Sequence, residues 1–350
     1  SDVYKRQDEY GSASAAVDIL TRQGKYQPWS QDKACAEIAA AENQGIVILL
    51  SEDDNYPAML KASTNPPPVL YVKGNLAALN YGKSLAIVGS RAASINGRKT
   101  AARIAKELTE QDVCIISGMA RGIDTSAHKG AMYACNETGS TIAVLGTGLD
   151  VIYPAENKQL YEQITINGCV ISEMPLGTQA TVNQFPRRNR IVAAMSEAVL
   201  VVEAGIKSGS LITARFAQEQ QKLLFAVPGT PGESRAQGSN HLIKEGAMLV
   251  EDANDILPFL KGNKTPVKKQ KTIPKQKVLV FENNDANFSK QKNKASNLVD
   301  FLTVDGIYID ELIRLSGKDA ASIAMEILEL ELNGIAERRP GNKIALTDQS

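Results

Sequence analysis

From Lys83 onward, short β-branched apolar runs alternate with amphipathic stretches long enough for a helix, and this alternation constrains the fold more than any other feature. The runs are "LAIVG", "VCIIS", "TIAVLG", "CVISE", "AVLVVEA", "LLFAVPG" and "AMLV". Between the first two, "GRKTAARIAKELTEQ" places Ala101, Ile104, Ala105 and Leu108 at the i, i+3, i+4, i+7 spacing of one buried helix face. Strands that read as continuous apolar runs are buried on both faces, and strands interleaved with helices form parallel sheets. The expected fold class is therefore α/β: an extended Rossmann-like, doubly wound parallel sheet.

The remainder of the 350 residues divides around this core. Residues 1–45 are Ala-rich with helical spacing and suggest a partial helical domain of the SAM-like kind. "IVILL" and "VLYVKG", separated by Pro-rich turns, should be strands flanking the main sheet within a 46–260 core domain. Residues 261–294 hold ten lysines against one Glu and one Asp, a surplus of eight positive charges, with Pro266 and Pro274, and read as a basic flexible linker. Residues 295–350 read as three short helices and a hairpin turning at Pro340-Gly341-Asn342, the pattern of a winged helix.

Composition excludes more than it assigns. Basic and acidic residues balance at 39 each, so any nucleic-acid binding must come from a local patch. Cys35, Cys114, Cys135 and Cys169 have no C-x-x-C spacing and read as buried thiols in a reducing compartment, and only His128 and His241 are available as imidazole ligands. No metal site, cofactor or membrane span is expected, and no secretory signal precedes the core, so a cytoplasmic protein is expected.

The chemistry-bearing residues lie in turns that follow strands, where parallel sheets bind ligands. "GSRAAS" carries Gly89, Ser90 and Arg91, and "SGMARG" carries Ser117, Gly118, Arg121 and Gly122. "GTGLD" carries Gly146 and Gly148, and "FPRRNR" carries Phe185, Arg187, Arg188, Asn189 and Arg190. "SGSLIT" carries Ser208, Gly209, Ser210 and Thr213, and "PGTPGE" closes the set at 228–233. Glycine admits a close ligand, helix N-termini offer unpaired N–H groups, and Arg offers a forked donor to phosphate oxygens. The expected ligand is polyanionic. Asp124 should cap its helix and orient Arg121 or His128, and His128 should support the site through hydrogen bonds. Phe185 is either a platform for a base or an ordinary core Phe. Not all of Arg187, Arg188 and Arg190 can face inward from one helix start, so at least one is a surface charge. Neither the G-x-G-x-x-G fingerprint nor a G-x-x-x-x-G-K-[ST] loop occurs, which disfavours a nicotinamide cofactor and a Walker-type ATPase.

Taken together, "LAIVGSRAAS", "ISGMARGIDTSAH", "TIAVLGTGLDVIYPAEN", "ISEMPLGTQATVNQFPRRNRIVAAMSEAVLVVEA", "SGSLITARFA" and "AVPG…SRAQGSNHLIKEGA" resemble the DNA-processing protein A (DprA/Smf) family over roughly Ile46 to Leu260. That resemblance implies a homodimer that binds single-stranded DNA, protects incoming strands and loads the RecA recombinase during natural transformation, without catalysis. The alternative is a nucleotide-binding phosphoribohydrolase of the lysine-decarboxylase-like superfamily. Its loop places a Glu where this sequence has Thr213, and without that carboxylate the oxocarbenium-type chemistry lacks its stabiliser. A sequence-reading repressor is disfavoured because "KDAASIAMEILELELN" carries one Lys against Asp319, Glu326, Glu329 and Glu331.

Overall fold

The structure is a computed structural model that describes residues 30–262 apart from 80 and 135–140, together with Arg22 and, in the C-terminal part, 302, 307–308, 323, 326–327, 330–331, 335–339 and 343–347. The chain divides into two compact units, Ser1–Val267 and Lys268–Ser350. Most of the 1–45 region and nearly all of the basic 261–294 segment lie outside the described residues.

In the first unit the seven apolar runs become seven strands: β3 (Lys83–Val88), β4 (Val113–Ser117), β5 (Thr141–Leu145), β6 (Cys169–Ser172), β7 (Ala198–Val201), β8 (Leu223–Ala226) and β9 (Met248–Leu249). The two preceding runs form β1 (Ile46–Leu50) and β2 (Val69–Gly74). The nine strands make one sheet in the order β1-β2-β6-β5-β4-β3-β7-β8-β9. β3 to β9 pair in parallel, while β2 joins β6 antiparallel and carries β1 at the edge. The chain leaves β3 toward β4 on one side and returns to β7 on the other, which makes the sheet doubly wound with its reversal between β3 and β7.

Eight helices follow the chain among the described residues: α1 (Gln31–Asn43), α2 (Ala58–Lys61), α3 (Ile95–Thr109), α4 (Ile123–Tyr133), α5 (Lys158–Asn167), α6 (Gln184–Ala194), α7 (Ser210–Glu219) and α8 (Gln237–Lys244). Strand side chains alternate between two cores because successive residues point to opposite faces. Leu85, Ile87, Val113, Ile115 and Leu200 pack under α3 and α4, whereas Ala86, Val88, Ile116, Val199 and Val201 pack under α6 and α7. The face of α3 buries Ala101, Ile104, Ala105 and Leu108, the four positions its spacing predicts. Ser94 caps this helix by accepting from the Gly97 N–H at 2.9 Å. Gly130 of α4 lies against the Ala102 backbone, where no side chain fits, so α3 and α4 approach closely.

Cys114 and Cys169 are buried as expected, but Cys35 is exposed: α1 buries only Ala41, so its cysteine faces solvent. Cys135 lies outside the described residues. Among the described residues no helix is long and apolar enough to cross a membrane, and no His, Cys, Asp and Glu cluster could hold a metal ion.

In the second unit β10 (Ile307–Tyr308), β11 (Ala336–Arg339) and β12 (Lys343–Leu346) form an antiparallel sheet in the order β10-β12-β11, with Arg339 opposite Lys343. The connecting 340–342 turn lies outside the described residues. Ile323 and Ile327, from the acidic helical stretch, are buried with Leu302, Ala336 and Ile344, and Leu330 packs against them. These apolar positions make the unit's own core.

Candidate nucleic-acid interface

A pocket of about 220 Å³ opens where β3, β4 and β5 end, lined by residues that include Arg91, Gly118, Arg121, Gly146, Tyr153, Phe185 and Arg188. Small-molecule sites usually enclose about 300 Å³ or more. A space of this size suits one unit of a longer ligand better than a whole cofactor.

The turn after β4 is built from the inside. Ser117 donates its hydroxyl to the Ile87 carbonyl at 2.6 Å, tying β4 to β3. The hydroxyl of this sequence-predicted ligand residue is thus buried and committed. Asp124, at the start of α4, accepts from the Gly118 N–H at 3.1 Å and the Ala120 N–H at 3.3 Å. Its carboxylate therefore shapes the turn and holds neither Arg121 nor His128. Met119 sits in the left-handed region at φ 55° and is fully buried, a conformation that only a tightly determined turn retains. Gly122 (φ 78°) completes the turn against the carbonyls of Ser90 and Arg91.

The five sequence-predicted arginines have five different situations. Arg188 is buried and donates to the carbonyls of Gly118 and Val144, drawing the ends of β4 and β5 together. Burial lowers its pKa to about 10, opposed by the Asp124 carboxylate, so it stays protonated near neutrality. Arg190 turns away to Glu173 and the Asn65 carbonyl. Arg121 is exposed and gripped by Glu156, Nε to Oε1 at 2.6 Å and a second N–H to Oε2 at 2.7 Å. Arg91 is exposed, lines the pocket and forms no ion pair among the described residues; its guanidinium lies 4.7 Å over the Phe185 ring centre. Arg187 completes the "FPRRNR" group as the surface charge, with a side chain 62% exposed and 3.8 Å from Glu173.

The glycines divide in the same way. A side chain at Gly89 would meet Ile123 and the Glu203 carbonyl at 2.9 Å, one at Gly118 would meet the Arg188 guanidinium, and one at Gly148 would meet Asp150 and the Pro175 carbonyl at 2.6 Å. These three are small because protein fills the space. Gly146 differs: its nearest neighbours would be 3.5 Å away, so its smallness leaves pocket volume.

Several predicted residues stand apart from this pocket. Ser90 gives its N–H to the Glu203 carbonyl at 2.6 Å, and its hydroxyl accepts from the Ala92 N–H at 3.2 Å. Ser208 and Ser210 bond each other at 2.8 Å, Asn189 donates to the Gly209 carbonyl at 3.2 Å, and Thr213 is buried in α7. The 228–233 turn borders a second hollow of about 560 Å³ beside Glu203. That hollow lies at the reversal of strand order, where Rossmann folds place a phosphate on a helix N-terminus. Here the Glu203 carboxylate already occupies that position, accepting from the Ser94 N–H at 3.1 Å and the Ser94 hydroxyl at 2.8 Å. His128 is also remote: it is fully buried and shares a 2.7 Å hydrogen bond with Thr141, at the opposite end of β5 from the pocket. It does not line the pocket.

Two contributors escaped the sequence reading. Tyr153, 44% exposed, stands with its ring centre 5.5 Å from that of Phe185 at an interplanar angle of 40°, and Glu156 neutralises Arg121. Both come from "IYPAEN", whose aromatic-Pro pair after a glycine turn was the available signal.

The sequence profile of the DNA recombination-mediator protein A family matches residues 47–261, and that of the DprA winged helix domain matches residues 290–342. The Smf protein of Synechocystis is 41% identical over 215 residues, which cover 61% of this chain and 53% of that protein, so the match spans about half of that relative. The solved structure of DNA processing protein A from Streptococcus pneumoniae superposes with a TM-score of 0.62 at 37% identity, covering 71% of this chain and 83% of that one. That of DNA processing protein A from Helicobacter pylori, a protein with a unique single-stranded DNA binding mode, gives 0.55 at 31% identity over 61% and 94%.

Proposed function

The chain belongs to the DNA recombination-mediator protein A family, and from that premise we propose that it binds single-stranded DNA at the pocket between β3, β4 and β5. In this reading it protects incoming strands in the cytoplasm and, as a homodimer, loads the RecA recombinase onto them during natural transformation. It performs no covalent chemistry.

The observation that carries the reading is Arg91. It is an exposed guanidinium in no ion pair among the described residues, lying over the half-buried Phe185 ring in a pocket where a glycine leaves space. Single-strand binders combine a positive groove that follows phosphates with aromatic faces that stack bases. Arg188, buried and lining the same pocket, adds a second positive charge that attracts phosphate.

The test is fluorescence anisotropy with single-stranded and duplex oligonucleotides across a salt series, beside a nucleotide-hydrolysis assay. The expected result is preference for single strands, a clearly negative slope of log affinity against log salt, and no release of free base. Arg91→Ala should bind more weakly with an unchanged Tm. Salt-insensitive binding, or an Arg91→Ala variant that binds like the parent, overturns the assignment.

A further inference from the structure

We infer that the hollow of about 560 Å³ between β7, β8 and the start of α3 binds a neutral vicinal diol, such as a ribose or another sugar ring carries, with the Glu203 carboxylate as its acceptor. This site is separate from the single-strand reading: it shares no lining residue with the pocket at the ends of β3, β4 and β5.

The argument starts from the state of Glu203. The residue is 8% exposed, lines the hollow and forms no ion pair among the described residues. Burying a carboxylate is costly unless donors meet its oxygens. Among the described residues only Ser94 supplies them, with an N–H shared between both oxygens at 3.1 and 3.2 Å and a hydroxyl at 2.8 Å. Gly97 lets the first turn of α3 come up against the carboxylate, where any side chain would overlap it. Two donors against roughly four accepting positions leave about two positions open on one buried group.

The lining decides what fills them. Glu203 sits at the helix N-terminus that an anion would use and repels a phosphate there. The exposed Arg235 on the rim disfavours a plain cation, and a compact one would leave most of the hollow empty. The remaining polar groups are neutral: the Asn96 amide and the hydroxyls of Thr100, Thr230 and Ser234, none of which makes a side-chain hydrogen bond among the described residues. Val202, Val227 and Pro228 add apolar surface for the C–H face of a ring. A vicinal diol donates two O–H groups from adjacent carbons, which matches two open positions on a single carboxylate. A deoxyribose strand carries no such pair.

The experiment is isothermal titration calorimetry of the full chain with adenosine, methyl β-ribofuranoside, 2′,3′-dideoxyadenosine, inorganic phosphate and putrescine. Adenosine should bind at least about tenfold more tightly than its dideoxy counterpart, the scale of hydrogen bonds to a charged acceptor. Equal binding of the methyl riboside assigns the site to sugars in general, and binding of adenosine alone assigns it to ribonucleosides. Glu203→Gln should weaken the diol about tenfold and leave oligothymidylate binding unchanged, whereas Arg91→Ala should weaken only the oligothymidylate. The inference is overturned if neither diol binds, if dideoxyadenosine matches adenosine, or if phosphate or putrescine binds in the diol's place. It is equally overturned if folded Glu203→Gln keeps the wild-type affinity, or if Arg91→Ala weakens adenosine. Where Glu203→Gln fails to fold, the ligand series on wild type decides alone. Failure of the oligothymidylate to bind wild type would sink the single-strand reading and leave this one standing on the diol series.

Discussion

The Arg121 guanidinium is gripped by the Glu156 carboxylate through two hydrogen bonds, at 2.6 and 2.7 Å, on the rim of the pocket that also contains Arg91, which forms no ion pair among the described residues. Both side chains are more than half exposed, so the pair does little for stability. Its consequence is electrostatic: a phosphate approaching Arg121 competes with a carboxylate already in place. Glu156→Gln should therefore raise affinity for single-stranded DNA a few-fold at low salt, and the gain should shrink as salt screens the rim. Anisotropy titrations at two salt concentrations check this, and an unchanged or reduced affinity at low salt excludes the competition.

The glycines allow a cleaner separation of packing from binding. Gly146→Ala should leave Tm unchanged, because the new carbon meets nothing closer than 3.5 Å, but should lower DNA affinity by filling the pocket. Gly118→Ala should instead lower Tm, because its side chain would overlap the buried Arg188 guanidinium. Thermal melts alongside binding curves would reveal the opposite pattern if Gly146 were structural.

Arg188 and Asp124 predict a large stability effect. Arg188→Met removes the donor from the Gly118 and Val144 carbonyls and leaves the buried Asp124 carboxylate without its neighbouring cation. Removing one member of a buried charge pair costs about 3 kcal/mol or more. For a unit of this size that corresponds to a fall in Tm of roughly 6 to 12 °C. Adding Asp124→Asn should recover part of the loss, and a Tm equal to wild type for Arg188→Met would mean that the pair is not coupled to folding.

These residues show why the strands were legible and the site only partly so. Each apolar run in the parallel sheet is buried on both faces, so its hydrophobicity depends on local pattern alone, as Leu85 and Ala86 on the two faces of β3 illustrate. The turns were recognisable as small and basic, but the reason for each residue lies elsewhere in the chain. Arg121 meets its acid 35 positions away, and Gly118 makes room for an arginine 70 positions away. Whether a glycine admits a ligand or a neighbouring side chain, and whether an arginine is unpaired or committed, follows from those long-range meetings and from no local spacing. His128 is the clearest case: four residues after Asp124 on the same helix, it points instead into the core beneath β5.

That burial of His128 predicts how stability depends on pH. Desolvation, with the Arg188 charge adding to it, lowers the imidazole pKa from 6.5 to about 3. Between those values the unfolded chain binds a proton at this position and the folded chain does not. Stability supplied by the neutral ring is thus complete above about pH 6.5 and is lost as pH falls toward 3, by at most about 1.4 kcal/mol per pH unit. Asp124 acts in the opposite sense: burial raises its pKa above 3.8, so the folded state holds that proton more readily in the window just above 3.8. The difference between two proteins isolates the histidine. Urea unfolding of wild type and His128→Gln from pH 7 to pH 4.5 should give a steeper loss for wild type, because only it must protonate the ring on unfolding. Parallel curves for the two proteins would show that the buried imidazole is not a source of acid lability.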